Sequence, residues 1–461
     1  MKLSNNLLSG QRRPRTKWLH PIRVLLTAAL VFTATILVWI LPRQTTSEIE
    51  QRELAKFPRF SVEALLSGDY FDDISLWFSD TFPARETFVG MSSDIRRTFG
   101  LQEEVIHGTV QQGDTIPDAP VTRPTAPVTS VGSTTSSAAS GTADSTTVSS
   151  TTTTTSAVDA DILQQNQSLS AILVKGDTAY EYYNFVNSTA DSYAAILNRA
   201  YMKLGDSAKV YSLVAPTSID VMLAPSARPA NSSDQGKAIN YLYGRMLQEI
   251  TVVDARSTLL NHRSEYIYFH TDHHWTARGA YYAFTQFAKA AGKTAPALSA
   301  FEEKVFPEFL GSFYAQTQNA GLKLGGDSIY TYKPTGNISM VYGKTSKATS
   351  SYPIIADVNG WNPRYKYSTF IGGDNAYTCI TNEDITDGSS VVLIKDSYGN
   401  AFAPFLASVY HKVHIIDFRY FTEDLTAFVK NNNVQDVLFL NNISATRNSM
   451  LVNKLNEFIG N

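Results

Sequence analysis

Ser390-Val391-Val392-Leu393-Ile394-Lys395-Asp396-Ser397-Tyr398 is the stretch whose reading decides the fold. Ser390–Ile394 is short, apolar and rich in β-branched residues, as a strand covered on both faces would be. The chain then turns at Asp396-Ser397 into a helix over Ala401–Tyr410. A second strand, Val413–Ile416, ends at Asp417, and helix-like Thr422–Lys430 leads to a third strand, Asp436–Leu440, ending at Asn441-Asn442. This alternation predicts an α/β fold with a parallel sheet, right-handed crossovers and flanking helices. Ligands of such sheets gather at the carboxyl ends of the strands. Ser397, Asp417-Phe418-Arg419-Tyr420 and Asn441-Asn442 all fall just past those ends.

Working upstream, Ala190–Leu204 and Ser233–Ile250 read as helices, with a strand at Val210–Val214 between them. Ala277–Ala291 is a helix with an apolar stripe at Ala280, Phe284, Phe287 and Ala291, and Thr276 is placed to cap it. Thr271-Asp272-His273-His274-Trp275 comes immediately before. A serine hydroxyl is a poor nucleophile until a neutral imidazole takes its proton and a carboxylate fixes that imidazole's tautomer. Asp272 and His274, two residues apart, can lie close together in an extended or turn backbone. Ser397 sits at a strand-to-helix corner, where a nucleophile is exposed. Alone it reads as an ordinary helix cap; its convergence with Asp272 and His274 favours a Ser397–His274–Asp272 triad. The helix after it offers unpaired N–H groups near Tyr398 for an oxyanion. His270 and His274 have the spacing of a helical metal pair, but Thr276 as helix start leaves both in a loop. No Cys or Glu at ligand spacing accompanies them. Neither a metal nor any other cofactor is therefore expected.

The amino-terminal third is organised differently. Residues 1–23 carry six cations and no acid, a basic tail that stays cytoplasmic. Residues 24–42 are uncharged and can just cross a bilayer as a single-pass anchor, which places the rest outside the cytoplasm. The rival reading, a cleaved signal peptide, fits less well, because the run is long and ends in Trp39-Ile40-Leu41-Pro42. Residues 43–113 read as a helical stem and a first strand packing on the main domain. Residues 114–158 are dominated by Thr, Ser, Ala and Pro and are expected to be a disordered insertion, with 159–461 as the α/β domain. Setting aside the six basic residues takes the formal net charge from −3 to −9, which argues against a nucleic-acid partner. The single cysteine, Cys379, cannot form an internal disulfide and reads as a small buried hydrophobe.

Taken together, several of these segments resemble the DHHW family of bacterial surface proteins. The resemblance rests on Thr271-Asp272-His273-His274-Trp275-Thr276, on Lys395-Asp396-Ser397-Tyr398-Gly399-Asn400 with Pro404-Phe405-Leu406, and on Asp417-Phe418-Arg419-Tyr420. Glu53-Leu54-Ala55-Lys56-Phe57-Pro58 and Asp80-Thr81-Phe82-Pro83-Ala84-Arg85 are also similar to it. That family is related to SGNH hydrolase-like proteins that acetylate alginate and other exopolysaccharides. The resemblance implies an SGNH-like sheet and a triad of Asp272, His274 and Ser397. Its motif order is permuted relative to ordinary SGNH esterases, in which the serine comes first. There is no Gly-Asp-Ser at the nucleophile, and Asn441 or Asn442 stands where the usual block asparagine would fall. Tyr398, Asn400, Arg419, Asn441 and Asn442 are the candidate oxyanion- or substrate-binding residues. The implied activity is O-acetyl transfer to, or ester hydrolysis on, a cell-surface polysaccharide, with a multi-spanning membrane acyltransferase as partner. The alternative is a wall-polymer binding or assembly protein that keeps the fold without the chemistry.

Overall fold

The computed structural model describes residues 19–47, 52–98, 104–126 and 170–460. The chain divides into a smaller unit, Met1–Phe88, and a larger one, Val89–Asn461. In the smaller unit Leu19–Ile40 is helical, and short helices follow at Val62–Ser67 and Asp69–Asp80. Ser61 caps the first of these by accepting from Ala64 N–H, and Gly68, at φ +91°, ends it and starts the next. Such a left-handed turn is open to glycine at no steric cost. The Asp80 carboxylate accepts from Ala55 N–H at 2.7 Å, and Phe57 meets Trp77 edge-on at 4.9 Å. Among the described residues no helix is long and apolar enough to cross a membrane. The fold therefore does not itself establish the anchor expected at 24–42.

The larger unit is built on one eight-stranded sheet. Its strands are β1 (Lys209–Ala215), β2 (Thr251–Val252), β3 (Ile338–Thr345), β4 (Ala348–Ser351), β5 (Tyr377–Asn382), β6 (Ser390–Lys395), β7 (Lys412–Asp417) and β8 (Asp436–Asn442). Their order across the sheet is β4-β3-β5-β7-β6-β8-β1-β2. The five strands from β7 to β2 are parallel. The expected parallel sheet is extended at the other side, where β5, β3 and β4 continue it antiparallel from β7. The segment 338–382 returns to β7 against its direction, so no crossover helix is needed there.

Alternation along the central strands feeds two cores. Val391 and Leu393 of β6 pack with the helices Ala277–Ala290 and Tyr398–Leu406 on one face. Val392 and Ile394 pack with Asn187–Leu204, Gln235–Arg245 and Ser449–Ile459 on the other. Covering both faces is what makes the strand sequence continuously apolar. The register places Lys395 of β6 opposite Asp417 of β7 and Leu440 of β8, so the loops leaving all three strands share one edge.

Either side of the Ser/Thr tract, Val105–His107 pairs antiparallel with Ile172–Lys175. The tract's first residues are not the unstructured chain expected from 114. Asp114 N–H donates to Phe185 O and the Asp114 carboxylate accepts from Asn187 N–H. The Arg123 guanidinium donates to the carbonyls of Met246, Leu247 and Ile250, and Ala126 N–H donates to Glu249. One arginine meeting three carbonyls, with Ile116 and Ala126 packed against the core, fixes this strap, a signal that composition does not carry. The rest of the tract, 127–158, lies outside the described residues.

Candidate active site

β6 runs directly into a tight corner. The Asp396 carboxylate turns back to accept from Tyr398 N–H at 3.0 Å, and it also accepts from Asn442 N–H at 2.8 Å and from the Asn441 amide. Burial pushes this carboxyl up from its ordinary value, while these N–H groups pull the other way. Asp396 thus binds the Ser397 corner to the end of β8. Gly399 lets the helix approach β6, because a Cβ there would stand 2.5 Å from Cβ of Lys395. Ser397, on this corner, is only 6% exposed.

The second half of the site is the loop between Tyr268 and Trp275, which are bridged antiparallel. Asp327 holds the loop from outside the site, accepting from His270 N–H, Thr271 N–H, the Thr271 hydroxyl and the Tyr266 hydroxyl. Loop and helix are also joined to each other. Trp275 Nε1–H donates to Tyr398 O at 3.0 Å, and the Tyr398 hydroxyl donates to His273 O. Trp275 and Tyr398 are fully buried, so the motif's two aromatic residues are the clamp between its halves.

These ties bring three groups into line. His274 Nε2 lies 2.7 Å from Ser397 Oγ, and His274 Nδ1 lies 2.5 Å from Asp272 Oδ1. Asp272 Oδ1 also accepts from His274 N–H at 2.9 Å, and Oδ2 accepts from Ser312 N–H at 2.7 Å. Burial alone would raise the Asp272 carboxyl; His274 and His273 beside it, with these hydrogen bonds, hold it well below the usual carboxylate range. Hydrogen-bonded as it is, Asp272 fixes Nδ1 as the protonated nitrogen and leaves Nε2 free to accept from Ser397. His273 does not point away, as an extended segment would have it. Its ring lies 3.8 Å from that of His274, and its Nδ1 meets Ser312 Oγ at 2.7 Å. Burial, and then the neighbouring His274, lower His273 to about 3, so it is neutral at working pH.

Ligand-type atoms of Asp272, His273 and His274 lie within 4.8 Å of one another, the group among the described residues able to hold a cation. It is not the His270/His274 pair: His270 lies outside it, its Nδ1 3.8 Å from Asp327. In that group the Nδ1 atoms of both histidines already have hydrogen-bond partners.

The other nominated residues have different employment. Asn441 accepts from the Tyr193 hydroxyl at 3.0 Å and donates towards Asp396, so its amide is spent behind the corner. Asn442 caps the following turn by accepting from Ala445 N–H. Tyr398 N–H is committed to Asp396. Arg419 pairs with Asp417 and Asp374, and Lys395 donates to the same two carboxylates, which makes a buried four-charge network. Asn400 donates to Asp374 at 2.8 Å, and its own Oδ1 has no partner among the described residues. Ser397 N–H itself makes no hydrogen bond among the described residues, which leaves it as the donor available to an oxyanion.

Sequence reasoning missed Gly311, Asp327, Tyr367 and Asp374. Tyr367 stacks on His274 with ring centroids 4.0 Å apart and planes 11° from parallel. Its hydroxyl donates to Ser397 O at 3.0 Å. Asp374 follows Ile371, Gly372 and Gly373, all at positive φ. A buried β-branched residue in that region is strained and marks a turn held by its surroundings. The Gly372-Gly373-Asp374 triplet was the one available signal.

With this geometry in view, the chain can be set beside known proteins. The family model described as DHHW protein matches residues 50–416. A crystal structure of a DHHW family protein from Eubacterium siraeum aligns at TM-score 0.56 and 27% identity, covering 62% of this chain and 94% of that one. Bacillus cereus PatB1 aligns at TM-score 0.52 and 19% identity, covering 61% of this chain and 98% of its own. It has also been solved with a sulfonyl adduct. The O-acetyltransferase domain of Pseudomonas putida AlgJ aligns more loosely, at TM-score 0.36 and 10% identity over 61% of this chain and 96% of that domain. No curated protein matches.

Proposed function

The chain belongs to the DHHW protein family, and from that premise we propose that it is a serine-dependent O-acyltransferase or esterase acting on acetyl esters of a cell-surface polysaccharide. The observation that carries this reading is the unbroken line from Asp272 Oδ1 through His274 to Ser397 Oγ, with steps of 2.5 and 2.7 Å. A binding protein has no need of that line. The substrate class rests on the family resemblance.

In the proposed reaction Ser397 Oγ attacks the ester carbonyl, and its proton passes to His274 Nε2. The tetrahedral intermediate collapses, the C–O bond to the leaving alcohol breaks, and His274 returns the proton to that alcohol's oxygen. An acyl group is then held on Ser397. A second hydroxyl, of sugar or of water, gives its proton to His274 and takes the acyl group, which restores the serine. Transfer and hydrolysis differ only in that acceptor. Asp272 stays ionised throughout and stabilises the imidazolium, and Ser397 N–H supplies an oxyanion donor.

We place the catalytic unit outside the cytoplasm, tethered by residues 24–42. Support comes from the uncharged sequence of residues 24–42 after the basic tail. A multi-spanning membrane protein would deliver the acyl group. The test is turnover of p-nitrophenyl acetate together with labelling by a sulfonyl fluoride. Ser397→Ala is expected to lower kcat by about 10⁴ or more and to abolish labelling. Full turnover in that variant would refute the assignment.

A further inference from the structure

His274 makes three ring contacts that the proton-transfer line does not require, of which Tyr398, tilted at 5.2 Å, is the most distant. Tyr367 lies flat against it, at 4.0 Å and 11°, and His273 lies at 3.8 Å with planes tilted 38°. Among the described residues Tyr367 and His273 make no ring contact with each other. Two rings this close to a third without touching one another must lie on its opposite faces. The imidazole is therefore sandwiched.

The outer members of the sandwich are fixed separately. His273 is held through Ser312 Oγ and through its carbonyl, which accepts from the Tyr398 hydroxyl. Tyr367, in the turn Pro363–Thr369, is braced edge-on by Phe370 at 5.3 Å and Phe269 at 6.2 Å. Its hydroxyl reaches across to Ser397 O, the carbonyl of the nucleophile's own residue. One side chain thus touches the base with its face and the nucleophile's backbone with its tip.

We propose that His274 works inside this two-sided ring clamp and that Tyr367 is the positioning residue whose ring holds the base in line with the nucleophile. The proposal rests on the serine chemistry proposed above. The clamp prevents the imidazole from rotating off the line when it gains a proton, the moment at which its bond to Ser397 Oγ is exchanged for one to the leaving oxygen. A tyrosine face is also a favourable neighbour for the imidazolium that forms there. Burial, and then the charges of Asp272, Asp374 and Asp396, keep the Tyr367 hydroxyl protonated, so it remains a donor to Ser397 O. His273 stays neutral, so the second face adds no repelling charge.

The test compares Y367F, which keeps the ring and removes the hydroxyl, with Y367M, which keeps bulk and removes the ring, in the full-length chain. Y367M is expected to lower kcat for p-nitrophenyl acetate by about 10- to 100-fold, with KM within about twofold, because displacement of the base by about 1 Å costs on that order. Y367F should keep at least about a fifth of kcat, since a single neutral hydrogen bond contributes little net energy. The proton NMR signal of His274 Nδ1–H, far downfield in the bond to Asp272, should persist in Y367F and broaden or vanish in Y367M. Wild-type kcat and an unchanged signal in Y367M would overturn the clamp, as would equal losses in the two variants. Should Y367M not fold, loss of the signal in Y367F would overturn it instead. A wild-type chain without ester turnover would defeat the proposed function, and the downfield signal would still judge the clamp.

Discussion

Adding one carbon at Gly311 should uncouple folding from catalysis. Gly311 lies against the side of Asp272 that faces away from His274. A Cβ built on it would stand 2.2 Å from Cβ of Asp272 and 2.3 Å from its Oδ2. Carbon atoms rest at about 3.5 Å or more, so the two segments must part by about 1.3 Å. Neither can yield freely. Gly311 N–H donates to the Thr271 hydroxyl, and Ser312 N–H donates to Asp272 Oδ2. The displacement therefore reaches the carboxylate proposed to orient the base. A misplacement of about 1 Å costs on the order of 100-fold in rate, while overpacking of this size costs about 1–3 kcal/mol of stability. G311A is expected to fold, melt several degrees lower, bind a small ester with near-normal KM, and turn it over about 100-fold more slowly. Thermal melting and p-nitrophenyl acetate kinetics on the same preparation check both halves. A kcat within threefold of the wild type would show that Asp272 does not need its present position, and the reasoning would fail.

K395M should destabilise the domain by about 3–5 kcal/mol, because it leaves two buried carboxylates to share Arg419. Its pH dependence has a definite sign. Burial opposes ionisation of Asp374, but Lys395 and Arg419 outweigh it and depress the carboxyl. That contribution is complete above the unfolded-state value of about 3.9 and is lost as pH falls through the lower folded value. In urea melts of the wild type this network's share of stability should thus be lost only below about pH 4, beneath the loss that the buried neutral His273 and His414 bring as pH falls below about 6.5, and in K395M it should be lost from higher pH; identical acid limbs would contradict the network's role. Replacing 127–158 by a short Gly/Ser linker, with the Arg123 strap kept, should leave melting and turnover within about twofold, since the flanking strands already pair. Loss of folding in that variant would mean that the tract contributes contacts of its own.

The parallel centre of the sheet is legible because its residues declare it locally. β6, β7 and β8 are short apolar runs closed by Asp, Ser or Asn, and each appears within two residues of its expected limits. The antiparallel wing is not legible, since β5 and β7 are paired by register across thirty residues and neither sequence specifies the other's direction. The same division runs through the site. Asp272 and His274 announce themselves by spacing, and Ser397 by its corner. Asn441 and Asn442 have the right address but the wrong task, because what an amide faces depends on Tyr193 and Asp396, which no local pattern brings together. Tyr367 belongs to a turn without periodicity, and only the folded chain reveals which ring it covers.

The pairing of β8 with β1 sets residues 436–442 beside 209–215. A nascent chain therefore carries β1 for more than two hundred residues before its neighbour exists. Until then β1 and β2 expose an unpaired edge, the template on which chains aggregate. β6 and β7, which emerge later, have nothing to connect them to it. A stop codon near residue 430 would thus remove far more than a tail: it would delete the strand that joins the two halves of the sheet, although Asp272, His274 and Ser397 would all have been made. Completion of the central sheet is accordingly left to the far end of the chain, after the residues of the candidate site have been made.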